Sequence, residues 1–233
     1  MTGLTPALPK RPSYWARRTR RHAAIGLASV ALTAAIFAVV ESRFTLSRLS
    51  TAFAFSGLAL VCASLAIGPS NVLRSRPNPL STDLRRDVGI WAGLLSLTHV
   101  VLGFQVHMGG RFWEYFFYGN QPRLVRLRFD PFGLANYAGL GITLVILLLL
   151  ALSNDISLRR LGSRRWKAWH RLLYAGFALT LAHGALYQLL EKRHLPFVGL
   201  FAGMGLAVCA LQLLAFRRVR RRRILAGLNS RAA

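Results

Sequence analysis

The stretch HRLLYAGFALTLAH occupies residues 170–183 and has one histidine at each end of an apolar run. Between the two histidines, Arg171 alone is charged. The run continues to Leu190, and a segment of this length and composition predicts a helix that crosses a membrane. A histidine inside such a helix costs free energy, so each one is by default a candidate functional residue.

Apolar runs recur along the whole chain. Six spans can be marked, at residues 23–40, 49–69, 88–106, 133–153, 166–190 and 197–216. Backbone groups in lipid must be hydrogen-bonded within their own segment, so each span is predicted to be a helix. The runs do not alternate polar and apolar residues, which argues against a β-barrel. The predicted fold class is therefore all-α, a six-helix transmembrane bundle surrounded by membrane lipid.

The charge of the chain is strongly positive, with 31 Lys and Arg against 7 Asp and Glu. On a soluble protein this excess would suggest a nucleic-acid partner. Here the basic residues flank the spans, so we expect contact with anionic lipid and no nucleic acid. Most of them lie in residues 1–22, 70–87, 154–167 and 217–233, which predicts that both termini are cytoplasmic. The predicted parts are a basic tail (1–22), a transmembrane domain (23–216) and a second basic tail (217–233).

Two histidines lie deep inside predicted spans. His99 follows Asp87 by twelve residues, and His183 follows Arg171 by twelve. At about 1.5 Å per residue, both imidazoles lie roughly 18 Å beyond the charged residue. The two helices run in the same direction, so the rings are expected to face each other at one level. The remaining histidines of tails and loops, interpreted as interfacial, are His22, His107 and His194.

A pair of neutral imidazoles on separate helices suits the two axial positions of a haem iron. A bare metal ion would want three or four ligands, and no carboxylate or thiolate lies at that depth. The alternative is that each histidine only hydrogen-bonds a neighbouring helix. Small residues that leave room for a flat ring are Ser96, Gly103, Gly176 and Gly184. His170 lies about 140° around an ideal helix from His183, so we assign it to a separate, inner cofactor site.

Two longer stretches resemble a known family. RRDVGIWAGLLSLTH (residues 85–99) and LGSRRWKAWHRLLYAGFALTLAH (residues 161–183) are similar to the signatures of the ferric reductase-like transmembrane domain superfamily. This superfamily includes ferric reductases, NADPH oxidases and the haem-binding membrane subunit of the bacterial periplasmic methionine sulfoxide reductase system. The last is the most similar in size and in lacking an attached dehydrogenase domain.

The resemblance implies a membrane cytochrome b of the bacterial inner membrane. It implies haem b between spans three and five, with His99 and His183 as ligands of the haem iron. It also assigns His170, Arg85 and Arg86 to an inner position, for a second ligand or for FMN or another flavin. Because the chain ends shortly after span six, we expect a separate cytoplasmic reductase or quinol as electron donor. No residue is predicted to be catalytic in its own right.

The predicted external loop contains RFWEYFFYGNQPRLVRLRF, residues 111–129, which differs from the family pattern. It is interpreted either as an aromatic membrane belt or as a docking surface for an extracytoplasmic acceptor. Arg123, Arg126 and Arg128 would attract an acidic soluble redox protein or an anionic ferric chelate. If the acceptor is an anionic ferric chelate, the chain would be the membrane component of a ferric-chelate reductase. A non-redox transporter or assembly scaffold is the alternative of another class, although no span has an acidic residue at its centre.

Overall fold

The structure, a computed structural model, describes residues 14–76, 82–119, 126–191 and 194–232. The α-helices are α1 (Tyr14–Val39), α2 (Thr45–Leu73), α3 (Thr82–Val106), α4 (Pro131–Leu152), α5 (Asp155–His170), α6 (Leu172–Leu190) and α7 (Leu195–Ala232). A 3-10 turn over Phe112–Tyr115 lies between α3 and α4. Apart from one isolated antiparallel bridge, between Phe117 and Leu127, the regular structure of the described residues is helical. The prediction of an all-α fold is confirmed.

Within the described residues, six segments are long and apolar enough to cross a membrane, namely α1, α2, α3, α4, α5 with α6, and α7. The chain is therefore a multi-pass membrane protein. The helices α1, α2, α3 and α7 are longer than the predicted spans, and the largest extensions are at the start of α1, at Tyr14, and at the end of α7, at Ala232. Arginine is a good helix former, and residues 217–226 contain no Pro or Gly, so the helix continues through this basic segment.

The predicted span 166–190 is divided in the structure. At Arg171 the helical hydrogen bonds span three residues instead of four. The amide of Arg171 donates to the carbonyl of Ala168, and the amide of Tyr174 donates to the carbonyl of Arg171. The preceding helix, α5, is polar and starts with Asn154, whose side chain accepts from Ser157 N at 2.8 Å. A break at Gly162, with φ of 70°, interrupts it. Glycine adopts this conformation without steric cost, and it separates α5 into two short helical pieces.

The spans pack as two groups. α2 packs most extensively on α3 and α7, α1 lies against α2, and α4 packs on α6. The closest approach uses small residues: a Cβ at Gly57 would lie 2.8 Å from Ser96 Oγ. Thr33 donates to Ser56 Oγ at 2.9 Å and so joins α1 to α2. In lipid the hydrophobic effect does not drive helices to associate. Close packing of small residues holds them together instead. A large cavity lies between the two groups.

The bundle has two distinct ends. One end, which we call the basic end, is formed by residues 14–22, 70–76, 82–87, 153–171 and 217–225, and here Arg218 donates to the carbonyl of Leu73 at 2.9 Å. The other, which we call the hairpin end, is formed by residues 40–48, 107–119, 126–130, 191 and 194. Residues 1–13 of the predicted N-terminal tail, Arg123 and residues 192–193 lie outside the described part of the chain.

Candidate cofactor site

His99 on α3 and His183 on α6 meet between the two helix groups. Their ring centroids are 6.2 Å apart, and the ring planes are inclined at 74°. Each histidine comes from a different group, because α3 packs on α2 whereas α6 packs on α4. The two rings therefore face each other across the cavity instead of sharing a helix surface.

Each imidazole is oriented by a backbone carbonyl of the neighbouring helix. His99 Nδ1 lies 3.0 Å from the carbonyl oxygen of Ser50 on α2 and 3.0 Å from the Ser50 hydroxyl. His183 Nδ1 lies 2.8 Å from the carbonyl oxygen of Ala135 on α4. A carbonyl can only accept, so Nδ1 carries the hydrogen in both rings and Nε2 keeps its lone pair. This is the tautomer that a metal-binding histidine needs.

Glycine at position 139 makes room for the second imidazole. A Cβ there would lie 2.9 Å from His183 Nδ1 and 3.0 Å from its Cε1. Gly103 faces Ser50 Oγ on the other side, with 3.8 Å from a Cβ to that oxygen. Of the small residues expected to leave room, Gly176 instead packs against Val145 of α4, at 3.2 Å from a Cβ to Val145 Cγ1.

The cavity around the two histidines has a volume of about 380 Å³. This lies within the range of small-molecule sites, roughly 300–1,000 Å³. Its walls are mostly aliphatic and aromatic. The polar side chains at its hairpin end are His107, Tyr115, Asn136, Tyr187, Gln188 and Glu191. An apolar slot with one polar edge suits a flat, largely hydrocarbon ligand that carries a few polar groups.

Two limbs of a hairpin, residues 111–119 and 126–130, lie at this polar edge. They are joined by the hydrogen bonds from Tyr118 N to Arg126 O and from Arg128 N to Phe116 O, at 3.0 and 2.9 Å. Tyr115 is buried, and its hydroxyl donates to the carbonyl of Gly103 at 2.9 Å. Tyr115 and Phe116 line the cavity from the hairpin side. The described part of the predicted external loop thus contributes directly to the lining of the site.

The arginines of the hairpin have different surroundings. Arg128 is half-buried, bonds the carboxylate of Asp130 at 2.9 Å and the carbonyl of Glu114 at 2.8 Å, and lies over the Phe132 ring. Arg126 is exposed. The predicted group of three loop arginines therefore contains a half-buried residue, Arg128, and an exposed one, Arg126. The third, Arg123, lies outside the described residues.

A second cavity, of about 290 Å³, opens at the basic end and contains His170, Arg85 and Arg86. His170 stacks on Trp166, with 3.7 Å between ring centroids, and its Nδ1 lies 3.0 Å from the Trp166 carbonyl. Its Nε2 lies 3.4 Å from Ser153 Oγ. The three inner residues singled out from the sequence are thus together, whereas Arg165 is exposed and lies outside this lining.

Arg86 is the most buried cation of this second cavity. It donates to Asp155 at 2.6 Å, and its Nε is buried with no hydrogen-bond partner among the described residues. Arg85, Lys167 and Arg171 line the same cavity. The cavity shares Val61 and Ile146 with the one that holds the paired histidines, so the two sites adjoin along the bundle.

Asp87, next to Arg86, is fully buried and lies against two arginines and a histidine of α1. Arg21 lies 2.8 Å from it, His22 3.3 Å and Arg18 3.5 Å, and Arg18 also reaches Asp155 at 3.7 Å. A buried carboxylate is tolerated where such partners compensate its lost hydration. His22, expected to be an interfacial tail residue, instead helps to tie α1 to α3.

Several residues around the site could not be identified from the amino-acid sequence. Ser50 and Ala135 act through backbone carbonyls, for which a sequence carries no signal. His107 was interpreted as interfacial, yet it lines the cavity and lies 3.3 Å from Glu191. The spacing would have helped here, since His107 and Glu191 each follow a deep histidine of their own helix by eight residues.

Six apolar helices around a facing pair of deep histidines define a multi-pass membrane protein of the ferric reductase-like class. No family model matches the sequence. The chain is 32% identical over 171 residues to the protein-methionine-sulfoxide reductase heme-binding subunit MsrQ of Rhodospirillum rubrum, and the match covers 72% of each protein. The chain belongs to the MsrQ family, so the predicted membership is confirmed.

Proposed function

We propose that the chain is a membrane cytochrome b that carries electrons across the bacterial inner membrane. The observation that carries this proposal is the pair His99 and His183, which face each other from separate helices inside one cavity. The relative from Rhodospirillum rubrum is named as a heme-binding subunit, which supports the same cofactor here. Bound haem supplies one-electron oxidation and reduction of its iron.

The residues present fit such a group. The ring centroids of His99 and His183 are 6.2 Å apart, close enough for one metal ion to be held between the two imidazoles. The carbonyls of Ser50 and Ala135 hold both rings in the tautomer whose Nε2 can bind a metal. His99 and His183 would therefore be the axial ligands.

The orientation of the chain follows from its charge. The basic end holds most of the arginines, and cytoplasmic loops of membrane proteins carry an excess of Lys and Arg. We infer that the basic end faces the cytoplasm and that the hairpin end faces the periplasm. The haem site, reached by twelve residues from the basic end along α3 and α6, then lies in the outer half of the membrane.

The cavity at the basic end is proposed to receive the electrons. His170, Arg85 and Arg86 would hold an anionic cofactor, and a flavin phosphate such as that of FMN suits guanidinium groups. Arg86, with its buried Nε lacking a partner in the described residues, favours an anion at this place. A separate reductase or quinol would be the donor. Flavin released when the purified protein is denatured, and lost in Arg86→Gln, would test this assignment.

The acceptor is proposed to be a periplasmic protein. The relative is a subunit of a protein-methionine-sulfoxide reductase, so we infer that electrons pass to a reductase of that kind. The hairpin side of the cavity favours this acceptor over a ferric chelate, because the buried aromatic side chains of Tyr115 and Phe116 line it. A docked protein can accept an electron through such a lining, whereas a chelate reductase would gain from an open edge.

The visible spectrum of the purified protein tests the proposal. The dithionite-reduced minus oxidised difference spectrum should be that of low-spin haem b. His99→Ala and His183→Ala should each abolish it, because six-coordinate iron needs both nitrogens. His194→Ala, at an exposed histidine of the hairpin end, is the matched control and should leave the spectrum unchanged.

A folded but colourless preparation from haem-replete cells would contradict the cytochrome assignment. That result would favour the alternative of another class, a non-redox transporter or assembly scaffold. Haem that persists in both His99→Ala and His183→Ala would instead show that the cofactor binds elsewhere in the chain.

A further inference from the structure

The side chains of His107 and Glu191 are in contact at the hairpin end, and the electron-transfer proposal does not use this contact. Each follows the last residue of a helix, His107 after α3 and Glu191 after α6. His107 Nε2 lies 3.3 Å from Glu191 Oε1, and about a quarter to a third of each side chain is exposed. Both residues line the cavity of the paired histidines.

The contact connects the two helices that carry the candidate ligands. His107 lies eight residues beyond His99, and Glu191 lies eight residues beyond His183. Both partners are therefore about 12 Å from the histidine of their own helix. α3 packs chiefly on α2 and α6 chiefly on α4, so the two ligand helices rely on other contacts for their mutual position. The His107–Glu191 contact supplies one where the helices end.

Contacts of His107 extend this link to the ligand itself. Its ring lies against Phe132 at 5.5 Å and against Tyr187 at 5.7 Å, measured between ring centroids. Its backbone amide donates to the Tyr115 hydroxyl of the hairpin at 3.2 Å. Tyr187 in turn lies 4.9 Å from the ring of His183. A change in the position of His107 is thus passed through one aromatic ring to His183.

We propose that His107 and Glu191 are positioning residues, an outer clasp that sets the angle between the two axial imidazole planes and slows the loss of haem. The proposal rests on haem binding between His99 and His183. The clasp is a contact of 3.3 Å between an imidazole nitrogen and a carboxylate oxygen of two partly buried side chains, where solvent screens it less than at a fully exposed place. It acts on the cofactor through the spacing of α3 and α6, without touching the iron.

Paired variants separate the polar contact from the packing of the ring. His107→Phe keeps a ring against Phe132 and Tyr187 but removes Nε2, and Glu191→Leu removes the acceptor. The matched controls, at exposed residues of the same end, are His194→Phe and Glu41→Leu. All variants are compared as full-length protein loaded with haem.

Two measurements report on the clasp. The electron paramagnetic resonance spectrum of oxidised low-spin haem depends on the angle between the planes of the two ligand rings, and the rings of His99 and His183 are inclined at 74° in this structure. We expect a shifted spectrum in both clasp variants, with the haem absorbance retained. Transfer of haem to apomyoglobin should be roughly three- to tenfold faster, as befits the loss of one partly buried polar contact. The double variant should be no faster than either single one, because both remove the same contact.

The outcomes distinguish the clasp from haem binding itself. Absence of haem from the unaltered protein would overturn the proposed function. Haem in all proteins, with the same resonance spectrum and transfer rate in variants and controls, would overturn the clasp alone. If a single variant misfolds, the exchange of His107→Glu with Glu191→His decides the matter. A return of the unaltered spectrum in that exchange supports the clasp, and a shifted spectrum with fast haem transfer overturns it.

Discussion

At the scale of single residues, Gly139 is the tightest constraint on His183. Any Cβ at this position would come within 2.9 Å of His183 Nδ1, the atom that bonds the Ala135 carbonyl. Contacts this short force a shift of either the ring or α4. We expect Gly139→Ala to lower the haem content of the purified protein several-fold, because the ring can no longer keep both its carbonyl partner and its place in the cavity.

Gly199→Ala is the matched control, since a Cβ there meets nothing within 4 Å. The haem-to-protein ratio and the reduced absorbance bands of both variants should be compared with those of the unaltered chain. Full haem content and an unchanged spectrum in Gly139→Ala would show that the imidazole has more freedom than its contacts indicate.

The meeting of His99 and His183 could be inferred from counting residues, because both lie twelve residues beyond a charged residue on helices of one direction. Their role as haem ligands stays a prediction. The hydrogen-bond acceptors of the two rings could not be inferred, because every residue has a carbonyl. His107 was missed for a different reason: its place at a helix end matches that of ordinary interfacial histidines, and only the neighbouring helix brings Glu191 to it.

At the scale of helices and loops, Asp130 links the hairpin to α4. It is the N-cap of α4 and accepts from Gly133 N at 2.7 Å, and it also accepts from Arg128 Nε at 2.9 Å. Burial alone would raise the pKa of Asp130, but the bonds from Gly133 and Arg128 outweigh burial and hold the pKa below its ordinary value. Such a carboxylate stabilises the fold above its unfolded pKa, and this stability is lost as pH falls through the lower, folded pKa.

We expect Asp130→Ala to destabilise the protein near neutral pH by about 1 kcal/mol, the usual value of a helix N-cap. The difference from the unaltered chain should begin to shrink below about pH 4, where the carboxylate of the unfolded chain binds a proton, and should be lost below the lower pKa of the folded state. Thermal unfolding in detergent between neutral and acid pH measures this, with the exposed Asp83→Ala as control. A difference that stays constant over the whole pH range would show that the charge of Asp130 plays no part.

The elements show where sequence patterns stop being informative. Long apolar runs identify the spans, because lipid leaves the backbone no other partner. The division of the fifth span at Arg171 has no such cause, and it depends on how α5 packs through Trp166, whose Nε1 bonds the Leu152 carbonyl at 2.8 Å. The hairpin was open to two interpretations, since its aromatic residues suit a membrane belt as well as a docking surface. Its place at the site depends on Tyr115 and on backbone pairing that composition does not encode.

At the scale of the whole molecule, the charges of the hairpin end should act on electron transfer in two separable ways. Arg126 is exposed, so Arg126→Ser should slow reoxidation of reduced haem by ferricyanide, a small anion, at low salt. The effect should disappear near physiological ionic strength, where the Debye length is about 8 Å. Arg128→Ser should instead lower the melting temperature at every salt concentration, because it removes bonds to Asp130 and Glu114.

Stopped-flow reoxidation and thermal unfolding of the same two preparations provide the comparison. Identical behaviour of Arg126→Ser and Arg128→Ser in both measurements would mean that the half-buried and the exposed arginine serve one purpose.

The two carbonyl-held histidines also have a consequence for how the protein is made. Each lies in a helix pair that contains its own acceptor, Ser50 with His99 and Ala135 with His183. The first pair leaves the ribosome well before the second, by several seconds at a synthesis rate of about 5–20 residues per second. The earlier half of the site can thus be inserted and oriented while the later half is still being translated. On the proposed function, haem would then join two helix pairs that are synthesised at different times. The supply of haem would determine when the bundle is complete.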